Sequence, residues 1–324
     1  MDFLIFWLSN VPGFATPFAL GVLGMIICER SGVLNLGAEG FVLVGAMSGA
    51  GVLISVGDLP LLAMVIAGLS GSLLGILFGF LVTILRVNQV IAGLIMVFLA
   101  QGLTSLISRN MDWVNKPFEG LSNVKADVLS EIPILGPIIF QQDILVYLTL
   151  LFYLVAFYFL YRTSIGLQLR AVGENPDAVD AAGGDVILTR LLAVIIGSFF
   201  LGLAGGYFTV VVSKIWVDGI SGGRGWIIIA LVIFARWQLS RALLGAVIFG
   251  CIDSINVVSG LANLNYDPNA TFDDGSCEYD DICDGIEATV NIFTDLYASE
   301  MSWELVDLDG ASVASGSGFT SDNS

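Results

Sequence analysis

The feature that most constrains this chain is a series of apolar runs, each close to the length needed to cross a bilayer and separated by short polar turns. Residues 3–27, 41–57, 60–85, 87–107, 143–161, 191–212 and 242–258 are such runs. A hydrocarbon layer of roughly 30 Å takes about 20 residues of helix at 1.5 Å per residue. Inside it no water satisfies a free N–H or C=O, so each run must form its hydrogen bonds within itself, as a helix does. An eighth run, Trp226–Ala235, has ten residues, about 15 Å of helix, and spans only if the glycines before it also enter the membrane. The expected fold is therefore an all-α polytopic transmembrane helix bundle of about eight membrane segments, some discontinuous. With 56% hydrophobic residues and a mean hydropathy of +0.89, disorder and an ordinary soluble domain are excluded.

Charge divides the chain in two. All 12 Lys and Arg lie between Arg30 and Arg241, whereas 15 of the 29 acids fall at or before Asp253 and 14 after it. The first part thus carries −3 and the tail −14 of the net −17. This predicts a transmembrane domain over 1–258 and an acidic extracytoplasmic appendage over 259–324. In the appendage, alternation in Met301–Val306 and the Asp309-Gly310 turn signal a β-hairpin. Cys277 and Cys283 are near enough in sequence to be bridged outside the cell, and the acidic oxygens could hold Ca²⁺ weakly.

Several chemistries are excluded by inventory. The chain has no histidine, so Gly219-Ile220-Ser221-Gly222-Gly223, which fits G-x-S-x-G, cannot form the usual triad. Cys28 and Cys251 are isolated in apolar sequence, and no zinc site can be assembled. None of the three lysines follows a glycine, so there is no Walker A motif. The chain is expected to be no enzyme and to hold no cofactor or metal; if transport uses ATP, another polypeptide hydrolyses it. Nucleic acid is not an expected partner, and membrane lipid is. The N-terminus, with Asp2 and no Lys or Arg before the first run, lacks a signal-peptide layout.

Polar residues concentrate in a few places between the spans. Arg162–Arg190 holds one short helix signal: Asn175 as cap, Pro176 at the first helical position, Asp177 in the first turn and Gly183-Gly184 as the stop. Two turns of helix need a surface to dock on, so this is either a solvated loop or a coupling element pressed by a cytoplasmic partner. Cys28–Gly40 packs Glu29, Arg30, Asn35 and Glu39 among three glycines, either as a tight turn or as a broken segment beside the permeation path. Gly71, Gly75 and Gly79 share one helix face and permit close approach of another helix, within the bundle or in a dimer. Residues 108–142 form a polar external loop. Arg86, Arg162, Arg170, Arg190, Arg236 and Arg241 fall on one side, which becomes the cytoplasm, and Lys116, Lys125, Lys214 and Arg224 fall outside. The N-terminus lies outside if 28–39 is a simple loop and inside if it re-enters.

With these motifs in view, ERSGVLNLGAEG at 29–40, LRAVGENPDAVDAAGGD at 169–185 and GGRGWIIIALVIFARW at 222–237 resemble the inner-membrane permeases of bacterial ABC importers, in the nucleoside and simple-sugar branch. The resemblance covers roughly residues 1–255. It implies a multi-pass protein of the inner (plasma) membrane that forms the uptake pathway for nucleosides or related simple sugars. It also implies a cytoplasmic ABC ATPase, a second permease subunit and a substrate-binding lipoprotein. The coupling role carries over to Glu174, Asn175, Pro176, Ala178 and Gly183, and the translocation path is placed at Glu29, Asn35 and Glu39. An ion-coupled secondary transporter or channel, using Glu29, Arg30 and Glu39, is the alternative. The tail resembles the Asp/Asn/Cys repeats of secreted marine-bacterial proteins and reads as an accidental fusion to a truncated permease.

Overall fold

A computed structural model describes residues 2–122, 136–262, 302–306 and 312–317. The chain divides into two units, Met1–Tyr266 and Asp267–Ser324, a few residues beyond the boundary expected at 258. Among the described residues ten helices build the first unit: α1 (Asp2–Arg30), α2 (Ala38–Val56), α3 (Pro60–Gly79), α4 (Gln89–Asn110), α5 (Ile144–Arg162), α6 (Ser164–Glu174), α7 (Pro176–Ala181), α8 (Val186–Tyr207), α9 (Arg224–Ala235) and α10 (Leu239–Ala262). Two of them, α3 and α8, run on as π-helical turns, Phe80–Ile84 and Phe208–Ser213. Six helical segments are long and apolar enough to cross a membrane, and α9 is the short apolar one. The last helix, α10, has 24 residues.

The second unit contributes β1 (Ser302–Val306) and β2 (Ser312–Ser317), which pair antiparallel. The Asp309-Gly310 turn and the Cys277–Cys283 pair lie outside the described residues.

In the bundle α1 is the central post. Phe18, Val22, Leu23, Met25 and Ile26 are all buried, with α8, α9 and α10 packed around them. Its two prolines, Pro12 and Pro17, lie near the middle of the helix. There the Thr16 hydroxyl donates to the Pro12 carbonyl at 2.8 Å and the Tyr153 hydroxyl to the Ala19 carbonyl at 2.9 Å. Neighbours thus supply polar partners where an apolar helix has none to spare.

Glycine decides how α2, α3 and α8 meet. A Cβ at Gly71 would strike the Ser198 carbonyl, one at Gly75 would lie 2.6 Å from the Ser198 side chain, and one at Gly79 would lie 2.7 Å from Leu191. All three therefore face α8, inside the bundle. On the other side of α8, Gly205 approaches the Val42 carbonyl and Gly202 meets both Gly45 and Gly71. Such contacts bring backbones together where the bilayer supplies no hydrophobic force between helices. Outward, Leu73, Phe98 and Leu154 are 70%, 70% and 69% exposed. Apolar faces of that size would drive association in water, and in lipid they are matched to their solvent.

The arginines sort by end. Arg30 reaches the Trp237 carbonyl at 3.0 Å and Arg190 donates to the Ser31 carbonyl at 3.2 Å, placing the ends of α1 and α9 and the start of α8 together. By the arginine rule that end is expected to be the cytoplasmic one, and α1, running toward it as a continuous helix, would then place the N-terminus outside. At the opposite end the loop after α4 is laid against the stretch after α8: Asn115 N–H donates to the Trp216 carbonyl at 2.9 Å and Phe118 N–H to the Lys214 carbonyl at 3.1 Å. Arg109, Ser105 and Ser108 all bind Asp218 there.

Candidate functional site

The cytoplasmic face carries a two-helix hook. Thr163 caps the first helix, its hydroxyl accepting from Gly166 N–H at 3.1 Å. Gly166 sits against the Phe159 carbonyl, where any side chain would prevent the turn from α5. The helix α6 is amphipathic, burying Leu169 and Val172 on the bundle, and it adds a second helix to the one that the motifs of Arg162–Arg190 predict. Asn175 then caps α7, its Oδ1 accepting from Ala178 N–H at 3.1 Å, with Pro176 at the first position. Gly183, at φ +82°, ends it in the left-handed conformation that glycine adopts without strain.

No residue of α7 is buried. Glu174, Asn175, Ala178 and Gly183 are exposed and Pro176 half-buried, and a cleft of about 500 Å³ opens between α6 and α7, lined by Leu167, Ala171 and Val179 among others. Glu174 closes α6, and the other residues belong to α7 and its ends. The hook is rooted in the bundle by backbone. The Cα of Gly173 would be 3.2 Å from a Cβ on Gly32, and a Cβ on Gly173 would strike the Arg30 carbonyl.

Gly32 belongs to the connection 31–37, and that connection leads into the interior. Here Glu29, Asn35 and Glu39 separate. Glu29 is half-buried at the cytoplasmic end and accepts a hydrogen bond from the Trp237 indole. Asn35 is wholly enclosed; its Oδ1 accepts from Gly37 N–H at 2.9 Å, and its Nδ2 is buried without a partner. Glu39 stands in the first turn of α2 and is 5% exposed. Its Oε1 accepts from the Ser221 hydroxyl at 2.6 Å and Gly223 N–H at 2.9 Å, and its Oε2 from Gly225 N–H at 2.7 Å.

Two helices thus meet at one carboxylate. The chain enters α9 through Gly222 and Gly223, at φ +53° and +84°, and Gly225 lies so close to Glu39 that a Cβ would collide with its backbone. Helix N-termini carry unpaired N–H groups and partial positive charge. Glu39 supplies the acceptors and the countercharge to α9 while it begins α2. The serine of the G-x-S-x-G stretch has no nucleophilic role here; it is the third ligand of this cap. Within α9's approach, Trp216 is fully buried among Leu43, Ala46 and Met47, so the glycine-rich segment does enter the bundle.

Arg224, expected outside, opens α9 half-buried, its guanidinium 4.8 Å above the Phe208 ring and donating to the Ile220 carbonyl at 3.3 Å. Asp253 of α10 stands 3.8 Å away. Neither this pair nor the buried bond from the Tyr207 hydroxyl to Asp143 was read from sequence. An acid in each of two apolar runs was the available signal, and only the packing supplies its partner.

Among the described residues no cluster of acids and cysteines is arranged to hold a metal ion. No solved structure matches the chain. Over 260 residues it is 40% identical to the putative glucose ABC transporter permease protein TsgC13 of Haloferax volcanii, covering 79% of this chain and 78% of the relative. It is 31% identical over 271 residues to the guanosine ABC transporter permease protein NupQ of Bacillus subtilis, covering 79% and 83%. A third relative, the nucleoside ABC transporter permease protein NupC of Lactococcus lactis, is 29% identical over 263 residues, covering 78% and 82%. Residues 7–271, which contain the whole helical bundle from its second turn onward, match the family described as branched-chain amino acid transport system / permease component, and the chain belongs to that family of multi-pass membrane permeases.

Proposed function

We propose that this chain is the membrane-pathway subunit of an ATP-driven importer of nucleosides or related simple sugars, coupled to its ATPase through α7. The observation that carries the reading is the hook itself. A six-residue helix with no buried residue does not persist on its own, yet here it is capped at both ends and follows directly on α6, whose Gly173 meets Gly32 of the 31–37 connection. Displacement of α7 is therefore delivered to the segment that leads to Glu39 and α9. The chain performs no covalent chemistry and binds no nucleotide; ATP is bound and hydrolysed by the partner.

The assembly has a cytoplasmic ABC ATPase beneath α6 and α7, a second permease subunit and a receptor that delivers substrate at the face of Trp113 and Lys214. Nucleosides and sugars are favoured as cargo because the relatives are named for glucose, guanosine and nucleosides. Co-expression with candidate ATPases tests the coupling. Ala178→Arg places a long cation in the exposed cleft, and Glu174→Lys reverses its charge. Each is expected to abolish stimulated ATP hydrolysis while the permease still inserts. Unchanged co-purification and stimulation in both would sink the reading.

A further inference from the structure

The axis of the bundle is filled. Around α1 the side chains of Val22, Leu23, Met25 and Ile26 are 0% exposed, packed as a protein interior is, and leave no room for a solute to pass among them. A pathway must therefore follow an outer face. The outward faces of α3, α4 and α5 suit lipid, since Leu73, Phe98 and Leu154 present apolar side chains to it. The face around the entry to α9 does not.

Depth there follows from helix rise. Helix α9 ends at Ala235, next to the contact between Arg30 and Trp237, and Arg224 and Trp226 precede Ala235 by eleven and nine residues. At 1.5 Å per residue they lie about 17 and 14 Å from that end, near the middle of a hydrocarbon layer of roughly 30 Å. Before them, residues 218–223 form a run of turns that leaves Gly219 and Gly222 exposed. The Arg224 side chain is 32% exposed, and Trp226, with its indole N–H, is 42% exposed. The Phe208 ring and the Ile220 carbonyl hold the guanidinium without enclosing it. Between α9 and α10 a cleft of about 250 Å³ has Gly222, Arg224, Ile227 and Ile252 in its walls, ample for water at about 30 Å³ a molecule. Lipid cannot cover such a face. Non-helical backbone and a guanidinium persist at this depth only against protein or water.

We propose that this face is the aqueous wall of the transport pathway: water, and an uncharged polar solute with it, passes along Gly222, Arg224 and Trp226, outside the filled core. Arg224 and Asp253, 3.8 Å apart, carry opposite charges whose fields largely cancel a short distance away, so the wall attracts neither cations nor anions. The wall is also held in place. Ser221, Gly223 and Gly225 all bind Glu39, which ties the glycine-rich approach to the start of α2 and so to the 31–37 connection. The inference rests on the importer reading, in which the second permease subunit supplies the opposite wall.

Single cysteines test the wall, in a full chain whose four native cysteines are replaced by serine. Trp226→Cys and Ile252→Cys sit on the proposed wall, and Phe98→Cys and Leu73→Cys on the lipid faces; all four native side chains are exposed. Depth is matched. Phe98 follows Gln89 by nine residues and Leu73 precedes Ile84 by eleven, at the end where Gln89 accepts from Leu34 N–H at 2.7 Å. The probe is sulfonatoethyl methanethiosulfonate, a charged thiol reagent, applied to the chain in lipid nanodiscs. It attacks the thiolate, and burial in lipid raises a thiol's pKa by more than a unit, so the wall cysteines should react at least about 10-fold faster than the lipid-facing ones. In denaturing detergent all four should react alike, which shows each thiol intact, and two positions on each face keep the comparison free of any one variant that misfolds. Equal rates on the two faces, or faster reaction at Phe98→Cys and Leu73→Cys, overturn the assignment. The coupling reading is decided separately, by the ATPase response to Ala178→Arg.

Discussion

Glu39 accepts three hydrogen bonds from a segment more than 180 positions away in sequence. Its removal leaves the Ser221 hydroxyl and two amides buried without an acceptor. Glu39→Ala should therefore cost about 2–4 kcal/mol, more than the loss of an ordinary cap. Glu39→Gln, which keeps one acceptor oxygen, should cost less. Unfolding in mixed micelles ranks the two, and an Ala variant as stable as the unmodified protein would deny the cap its role. A similar argument applies to Tyr207, whose hydroxyl donates to the buried Asp143 carboxylate at the head of α5. Tyr207→Phe should cost about 1–3 kcal/mol. The expectation that Glu29, Asn35 and Glu39 act alike was formed from their nearness in sequence. The structure gives them an edge bond, an enclosed amide and a helix cap.

Among the elements, what could be read beforehand was what is local. Asn175-Pro176-Asp177 and Gly183-Gly184 define α7 within the ten residues 175–184, and the apolar runs place every span to within a few positions. The helix α6 was hidden because its apolar positions are interrupted by Gln168 and Arg170, and its partner face comes from α5 and α8. The meeting of α2 and α9 was beyond reach for a different reason. Glycines and acids in a turn do not say which distant N-terminus they face. The Gly71, Gly75 and Gly79 face carries its own prediction. Gly71→Val would drive a side chain into the Ser198 carbonyl and the Gly202 backbone, where no rotamer can yield. Loss of most of the folded, membrane-inserted protein is expected; normal yield and an unchanged unfolding midpoint would show that α3 can shift on α8.

For the whole molecule the arginines and the helix directions give one topology. The N-terminus and the loop holding Trp113 are expected outside, and α6 and α7 inside. Single cysteines replacing Asn115 and Ala178, with Cys28, Cys251, Cys277 and Cys283 replaced by serine, should react with an impermeant thiol reagent from opposite sides of sealed vesicles. Labelling of both from one side would invert or break the topology. α10 starts at the arginine end and runs away from it, so the acidic segment beyond residue 266 is expected outside, where protease should remove it from right-side-out vesicles without disturbing the bundle. Its origin as a fused repeat remains a proposal, and the family match ends at residue 271.

One contact in this topology bears on how the transporter works. Where α6 crosses the turn after α1, Gly173 and Gly32 touch main chain to main chain. Side chains between two moving parts act as springs, since a rotamer can turn and absorb a small displacement. Here there is nothing to turn. If the proposed ATPase delivers a stroke to the hook, it should appear almost undiminished at the 31–37 connection, because this joint has no backlash.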